Sequence, residues 1–311
     1  MANNRVEFPK ETPKPMFSEG KHWLWLIGNR GMLGTELSLL LEKAGIPFIG
    51  TDREVDITEA AALADFTGAQ ERPFTWIVNC AAYTAVDRAE DDRENCRLLN
   101  AVGAGNIAAA AMAAGATLIH ISTDYVFNGR GNRPYTEEDD TDPIGVYGLT
   151  KRDGERQVLQ ENPRSYIIRS AWMYGRYGGN FVHTMLRLMG ERESVAVVND
   201  QRGSPTWAHD LAAAILSLIC ASSVVSPGIY HFTNGGGITW YDFACEIYAQ
   251  SRALGILTRD CTVTPCSSGE FPAKVQRPAW SVLDTTKITK TLGIAIPGWK
   301  ESLREYLSSY A

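Results

Sequence analysis

Three glycines at intervals of three residues separate an apolar run from a helical pattern near the start of the chain. The apolar run covers residues 23–27, the glycines are Gly28, Gly31 and Gly34, and the helical spacing of apolar residues continues to Ala44. A turn of this kind between a strand and a helix directs amide N–H groups and the positive end of the helix dipole at an anion such as a pyrophosphate. A tight strand-to-helix turn without a ligand would have the same spacing. We predict a dinucleotide-binding turn with the candidate residues Gly28, Asn29, Arg30, Gly31, Met32, Leu33 and Gly34.

Short apolar runs and helical patterns continue to alternate for about 150 residues. The next predicted elements are a strand at 46–50, a helix from about 58, a strand at 76–79, an alanine-rich helix at about 95–114 and a strand at 117–122. Strands of buried type that alternate with helices form a parallel sheet with both faces covered. We therefore predict an α/β fold: a Rossmann-like doubly wound parallel sheet with a smaller C-terminal substrate-binding lobe over its carboxyl edge.

Changes in pattern divide the chain into three parts. Residues 1–21 combine prolines with charges and show no periodicity, which predicts a flexible leader. Residues 22–170, with about 206–233, are predicted to form the dinucleotide-binding domain. Residues 171–205 and 234–311 contain short elements broken by glycine and proline turns, and we predict that they form the substrate-binding lobe.

The composition excludes several classes of protein. With 44% hydrophobic and 21% charged residues the chain resembles an ordinary globular protein, and its net charge of -6 argues against nucleic acid as a partner. No apolar segment has the length of a membrane span or the form of a signal peptide, which predicts a cytoplasmic protein without a membrane partner. The six cysteines include no Cys-x-x-Cys pair and the five histidines show no metal-like spacing, so we expect reduced thiols and no metal site.

Charged residues follow the second predicted strand, where the ribose of an adenine nucleotide would lie. Asp52 would accept hydrogen bonds from a free ribose and favours NADH, whereas Arg53 and Arg30 would bind a 2′-phosphate and favour NADPH. The sequence leaves this choice open, and either charge is also compatible with a solvated loop. Three further cofactor-side candidates lie after the second strand and at the end of the third: Asp56, Ile57 and Cys80.

A tyrosine and a lysine four residues apart predict a carbonyl-reducing site. Tyr147 and Lys151 would lie on one face of a helix, and Thr123 follows the fourth strand at the edge where open α/β sheets bind ligands. A ketone oxygen could accept hydrogen bonds from Thr123 and Tyr147 while a hydride reaches its carbon. A nearby Lys151 ammonium would lower the pKa of the phenol from its usual value of about 10, and would also contact the cofactor. A surface helix with a packed tyrosine and a solvated lysine is the alternative.

Five further sequence blocks occur in an order that carries a family resemblance. The blocks are Asn79-Cys-Ala-Ala-Tyr-Thr-Ala-Val-Asp87, Ser122-Thr-Asp-Tyr-Val-Phe127, Ser170-Ala-Trp-Met-Tyr-Gly175, Asn199-Asp-Gln-Arg-Gly-Ser-Pro-Thr206 and Arg277-Pro-Ala-Trp-Ser-Val-Leu-Asp284. Together they resemble the dTDP-4-dehydrorhamnose reductases, from about Trp23 to the end of the chain. The resemblance implies an NADPH- or NADH-dependent reductase of a nucleotide-linked ketosugar, and a homodimer as an alternative to a monomer.

The resemblance also assigns roles to individual residues. Thr123, Tyr147 and Lys151 match the catalytic triad of the family. Positions that line the cofactor match Ala81, Ala82, Tyr83 and Asn100. Positions near the sugar match Val86, Asp87, Asp124, Tyr125 and Trp172, and Trp172 would offer its ring to the deoxysugar. Tyr83 departs from the histidine of many relatives.

Two expectations concern charged residues whose role the resemblance leaves open. Arg277 would bind a diphosphate or fix the C-terminal lobe by a salt bridge. Some relatives hold magnesium between subunits with glutamates. Glu36 matches one such position, but His209 and Asp210 stand where another glutamate would be needed, so we expect no magnesium.

Two alternative functions are compatible with the same motifs. A related 4-ketoreductase could act on another nucleotide-linked deoxysugar, because the shape of the pocket sets the configuration of one hydroxyl. A non-catalytic cofactor-binding subunit is the second alternative, since this branch of the superfamily includes a regulatory partner of methionine adenosyltransferase. The presence of Thr123, Tyr147 and Lys151 favours an enzyme.

Overall fold

The computed structural model describes residues 23–221, 225–271 and 274–310, so the predicted leader lies outside the described residues. The strands are β1 (Leu24–Ile27), β2 (Phe48–Thr51), β3 (Trp76–Asn79), β4 (Thr117–Thr123), β5 (Tyr166–Ser170), β6 (Met173–Tyr174), β7 (Ser194–Val198), β8 (Arg202–Gly203), β9 (Thr206–Trp207), β10 (Gly228–His231), β11 (Ile238–Thr239) and β12 (Thr262–Cys266). The helices are α1 (Met32–Lys43), α2 (Ala60–Gly68), α3 (Val86–Ala89), α4 (Arg93–Arg97), α5 (Gly103–Ala113), α6 (Val146–Glu161), α7 (Phe181–Glu191), α8 (Ala208–Ala221), α9 (Trp240–Ala253), α10 (Thr286–Leu292) and α11 (Trp299–Ser308).

A six-stranded parallel sheet forms the centre of the described structure. Its strand order is β2-β1-β3-β4-β5-β10, and β1 pairs with β2 on one side and β3 on the other. The direction of winding therefore reverses at β1, and the crevice at the carboxyl ends of β1 and β3 is where such sheets bind ligands. This arrangement confirms the predicted doubly wound α/β fold.

Alternate side chains of β1 enter two different cores. Leu24 and Leu26 pack against α1 and α8, whereas Trp25 and Ile27 pack against helices on the opposite face, as expected for a strand with period two. The residues of β1 are at most 1% exposed. The sheet is therefore covered on both sides, and its polar binding residues can lie only at the strand ends.

A π-helical segment, Leu98–Val102, joins α4 to α5, where the sequence predicts one regular helix. The segment lies against α6, and a Cβ atom on Gly154 would lie 2.1 Å from the Asn100 carbonyl oxygen. Direct contact between the two backbones therefore requires glycine at this position. Asn100 itself is 1% exposed and belongs to the site described below.

A third core lies outside the main sheet and contains side chains of α7, α9 and α11. Helix α9 begins with a capping box in which the Thr239 hydroxyl and the Asp242 carboxylate each accept a backbone N–H bond. The predicted boundary after residue 170 coincides with the end of β5, and the division into domain and lobe stays a prediction. Within the described ranges, no helix combines the length and apolar character required to cross a membrane.

Candidate active site

The glycine turn connects β1 to α1 as the sequence predicts. Gly28 has a φ of +76°, and its N–H donates to the Thr51 carbonyl at 2.7 Å. A Cβ atom on Gly34 would lie 2.1 Å from the Gly28 carbonyl oxygen, so any larger residue would force the turn apart. The buried Asn29 Oδ1 has no hydrogen-bond partner among the described residues. The turn thus places the N-terminus of α1, which can bind an anion, at the carboxyl end of β1.

The loop after β2 contains an ion pair that the sequence did not predict. Arg30 pairs with Glu54, and the other carboxylate oxygen of Glu54 accepts the Asp52 backbone N–H at 2.7 Å. Backbone hydrogen bonds and the Arg30 guanidinium hold the pKa of Glu54 below its usual value. Arg53 is exposed. A ribose phosphate would therefore compete with Glu54 for Arg30, while Arg53 stays accessible.

Asp56 and Ile57 have structural partners in this loop and in helix α5. The Asp56 carboxylate accepts the backbone N–H and the hydroxyl of Thr58, which hold its pKa below the usual value. Ile57 is 5% exposed, and its carbonyl accepts a hydrogen bond from Asn106 at 3.1 Å. A contact of either residue with a cofactor stays a prediction.

The segment after β3 lies directly against the glycine turn. A Cβ atom on Gly28 would lie 2.7 Å from the Ala81 nitrogen, which shows how closely the two backbones approach. Asn100 holds the following residues: its Oδ1 accepts the Tyr83 N–H at 2.8 Å and its Nδ2 donates to the Tyr83 carbonyl at 3.1 Å. Burial raises the pKa of the Cys80 thiol to about 12, so this thiol stays protonated. Cys80, Ala81, Ala82 and Tyr83 therefore lie at the predicted cofactor crevice.

Thr123 and Tyr147 meet at the carboxyl end of β4. Thr123 is the last residue of the strand and 6% exposed, and its hydroxyl accepts the Tyr125 N–H at 3.2 Å. Burial raises the pKa of Tyr147, and the Tyr147 ring packs edge to face on Tyr125, two residues after Thr123. The phenol is therefore protonated at neutral pH and can act as an acid. The structure brings these two predicted residues together.

Lys151 lies one turn after Tyr147 on α6 and is 2% exposed. Its Nζ donates to the Ile121 carbonyl at 2.6 Å and lies 3.4 Å from Nε2 of His120. Burial lowers the pKa of Lys151 to about 8. That Lys151 lowers the pKa of Tyr147 stays a prediction, because the described contacts of its amine are with β4.

Several residues predicted near the sugar surround this site. The Tyr125 ring meets the Tyr147 ring edge to face at 5.5 Å between centroids. Asp87, in α3 next to Val86, accepts a hydrogen bond from Arg277 Nη2 at 3.1 Å. Arg277 thus forms the predicted salt bridge between the C-terminal region and the sheet domain, and its binding of a diphosphate stays a prediction.

Asp124 and Trp172 are held in unusual surroundings. Burial raises the pKa of Asp124 to about 6, and its Oδ2 has no hydrogen-bond partner among the described residues.

Trp172 has a φ of +45° and stacks on Trp240 with ring centroids 3.5 Å apart. One face of the Trp172 indole is therefore occupied by Trp240, and its contact with a sugar stays a prediction.

Comparison with known proteins decides the family. The family model described as the RmlD substrate binding domain matches residues 22–311. The chain is 43% identical to a dTDP-4-dehydrorhamnose reductase of Streptomyces griseus, over 90% of this chain and 92% of that relative. The chain belongs to the dTDP-4-dehydrorhamnose reductase family. Membership confirms the family and the oxidoreductase class that the sequence predicts.

Solved structures of two proteins named dTDP-4-dehydrorhamnose reductase superpose on the chain. The Clostridium acetobutylicum protein has a TM-score of 0.86 and 40% identity, over 93% of this chain and 99% of that chain. The Bacillus anthracis protein, solved in complex with NADP, has a TM-score of 0.85 and 35% identity over the same shares. The fold described above is therefore the fold of this reductase family.

The residues at the position where some members of the reductase family hold magnesium do not fit such a site. Glu36 Oε2 lies 3.3 Å from Nδ1 of His209. The hydrogen bond with Glu36 raises the pKa of His209, which favours an imidazolium where a cation would have to lie. Within residues 23–221, 225–271 and 274–310, no group of three or more His, Cys, Asp or Glu side chains could hold a metal.

Sequence reasoning missed the residues that support the site from behind. Glu90 Oε1 accepts the first N–H of α6 at 2.8 Å and so fixes the helix that carries Tyr147. His120 and Asn79 form a buried contact beneath Lys151 at 3.0 Å. For His120 and Asn79 the sequence did contain a signal, because each is a polar residue in a short apolar run. A polar side chain that is buried in this way requires a hydrogen-bond partner.

Proposed function

We propose that the chain reduces the C4 ketone of dTDP-4-dehydro-L-rhamnose to give dTDP-L-rhamnose, with NADPH or NADH as the cofactor. The observation that carries this proposal is the position of Thr123 at the carboxyl end of β4, with the Tyr147 ring packed on Tyr125 two residues further along the chain. The names of the relatives support the choice of substrate.

The residues of the crevice fit a nicotinamide dinucleotide. Helix α1 begins directly after the glycine turn, so its first amide N–H groups would donate to a pyrophosphate. Asp52 and Arg53 would lie near the adenosine ribose, and the Bacillus anthracis relative was solved with NADP. When bound, the reduced cofactor supplies the hydride for the ketone carbon.

The chain itself supplies the proton and the orientation of the ketone. Tyr147 donates its phenolic proton to the ketone oxygen as that oxygen gains negative charge, which yields the alcohol. The Thr123 hydroxyl, which donates to Asp124 Oδ1 at 3.1 Å in the structure, would turn to donate to the same oxygen and polarise the carbonyl. Thr123 is buried and Tyr147 is partly buried, which limits the access of water to the oxygen.

Substrate recognition is assigned to the surrounding aromatic and charged residues. Tyr125 and Val86 would contact the sugar, and Trp172 would contact it through the part of the ring that Trp240 leaves open. Arg277 would contact the diphosphate, at the cost of its salt bridge to Asp87. The division of the chain into a cofactor domain and a substrate lobe is part of this proposal.

The decisive test is the oxidation of NADPH and NADH in the presence of the ketosugar by wild-type protein and Tyr147→Phe. We expect Tyr147→Phe to lower kcat by about 10²–10⁴-fold while the Kd for the cofactor is unchanged, because only a proton donor is lost. Tyr174→Phe is the matched control, since Tyr174 is buried and its hydroxyl has no described partner. A Tyr147→Phe variant with near wild-type rate would remove Tyr147 from the mechanism.

The same assay separates the alternatives. Cofactor oxidation with a different nucleotide-linked ketosugar, but not with this one, would favour the related 4-ketoreductase. Cofactor binding without oxidation by any ketosugar would favour the binding subunit.

A further inference from the structure

The carboxylate of Glu54 is held by anion-binding groups just after β2. One of its oxygens accepts the Asp52 backbone N–H at 2.7 Å, and the other pairs with the Arg30 guanidinium. Backbone hydrogen bonds and the Arg30 guanidinium hold the pKa of Glu54 below its usual value, so the carboxylate is ionised at neutral pH. A backbone N–H group and a guanidinium therefore converge on one negative charge.

These donors lie next to the glycine turn. The Gly28 N–H donates to the Thr51 carbonyl at 2.7 Å. This bond joins the turn that carries Arg30 to the residue that precedes Asp52. In sheets of this kind the pyrophosphate lies at the glycine turn and the adenosine ribose lies at the end of the second strand. The groups that hold Glu54 are therefore at the edge where the ribose of NADPH or NADH is expected.

NADPH and NADH differ only at the 2′ position of this ribose. NADPH carries a phosphate there, with about two negative charges at neutral pH, whereas NADH carries a hydroxyl. A phosphate binds to guanidinium and backbone N–H groups, the same donors that Glu54 uses. A free hydroxyl can instead donate to a carboxylate such as that of Asp52. NADPH therefore competes with Glu54, and NADH does not.

The charges near this edge do not favour a phosphate while Glu54 is present. Arg30 and Arg53 supply two positive charges, and Asp52, Glu54 and Asp56 supply three negative ones. The side chain of Arg30 is 67% exposed and that of Glu54 is 48% exposed. An ion pair as exposed as this one contributes little to stability, so it can open without disturbing the fold.

We propose that Glu54 is a specificity-determining residue that occupies the donors of the 2′-phosphate and lowers the affinity for NADPH relative to NADH. The role rests on the proposed function, in which this edge of the sheet binds a nicotinamide dinucleotide. NADPH binds fully only after Glu54 has left Arg30, whereas NADH binds beside the closed ion pair. The ratio of the two affinities is thus set at a residue remote from the ketone and from Tyr147.

The test is a calorimetric titration of wild type and Glu54→Gln with NADPH and with NADH, without a ketosugar. Glutamine keeps the shape of the side chain, but its neutral amide holds Arg30 less strongly and does not repel a phosphate. We expect the Kd for NADPH to fall by about 5- to 20-fold and the Kd for NADH to change by less than about twofold. An unchanged ratio of the two Kd values would overturn the proposal.

Nucleotides without a nicotinamide locate the effect. Adenosine 2′,5′-bisphosphate carries the 2′-phosphate, and 5′-AMP lacks it. The tighter binding by Glu54→Gln should appear with the bisphosphate and be absent with 5′-AMP. An equal gain in affinity for both nucleotides would place the effect at the 5′-phosphate and contradict the proposal.

Two further variants separate the release of Arg30 from the loss of a negative charge. Glu59→Gln removes an exposed charge just before α2, where the side chain forms no cap hydrogen bond, and it should leave both Kd values unchanged. In an Arg30→Gln background, Glu54→Gln should improve NADPH binding much less than it does when Arg30 is present. A gain of full size without Arg30, or an equal gain from Glu59→Gln, would exclude competition for Arg30 as the cause.

The same titrations separate this role from the proposed function. If both dinucleotides bind and Glu54→Gln leaves the ratio of their Kd values unchanged, the role of Glu54 is wrong and the reductase proposal is unaffected. If neither dinucleotide binds to wild type, the proposed function is wrong, and the role of Glu54 is wrong with it.

Discussion

The buried ion pair between Glu155 and Arg169 allows a quantitative prediction. Arg169 donates to the two carboxylate oxygens of Glu155 at 2.9 and 2.7 Å. The side chain of Glu155 is 4% exposed and that of Arg169 is 3% exposed. The Ser122 hydroxyl adds a third bond to this carboxylate at 2.5 Å. Glu155→Gln keeps the shape but leaves a buried guanidinium without a counter-charge. We expect the free energy of unfolding to fall by about 3–5 kcal/mol.

Urea unfolding monitored by circular dichroism measures this loss, with the same fit applied to wild type and variants. Arg169→Met should be destabilised by a similar amount, because it leaves Glu155 as the uncompensated charge. The double variant Glu155→Gln/Arg169→Met contains neither charge and should be more stable than either single variant. A loss below about 1 kcal/mol in Glu155→Gln, or a double variant less stable than both single variants, would refute this reasoning.

Two further predictions concern the glycine turn and the buried acid at the site. Gly34→Ala should raise the Kd for NADPH by about 10- to 100-fold, because its Cβ would overlap the Gly28 carbonyl. A fluorescence titration with NADPH measures this Kd. Gly31→Ala is the matched control, since its Cβ would lie 3.3 Å from the same oxygen. An equal loss of NADPH affinity in both variants would exclude the overlap as the cause. Asp124 has a pKa of about 6 in the folded protein, above the unfolded value of about 3.9, so wild type should lose stability as the pH rises from about 4 to 6. The free energy of unfolding of Asp124→Asn minus that of wild type should therefore increase by about 3 kcal/mol between pH 4 and pH 7.5, as measured by urea unfolding. If this difference did not change with pH, the raised pKa of Asp124 would be contradicted.

The parts of the fold that depend on local pattern were predictable from the sequence. The alternation of strands and helices gave the doubly wound sheet, and the spacing of Gly28, Gly31 and Gly34 located its turn. Thr123 and Tyr147 could be placed at one edge because a parallel strand ends, and the helix that follows it begins, at the carboxyl edge of the sheet. These inferences need only the period of the apolar residues and the geometry of a strand-to-helix turn.

Long-range partners were not predictable in the same way. The pairing of Arg30 with Glu54 and the stacking of Trp172 on Trp240 depend on where distant segments meet. The role predicted for Lys151 assumed an ammonium directed at Tyr147, whereas its described partners belong to β4. Burial and hydrogen-bond direction, which decide the charge of such a group, appear only in three dimensions.

The π-helical segment Leu98–Val102 restricts how the length of the chain can change. A π turn corresponds to an α-helix with one extra residue. Deletion of that residue would restore regular helix and rotate one end relative to the other by about 100°. Either Asn100 would turn away from Tyr83, or the alanine face of α5 would turn away from the sheet. We therefore expect relatives with the same cofactor crevice to differ in the residues of this segment but not in its length.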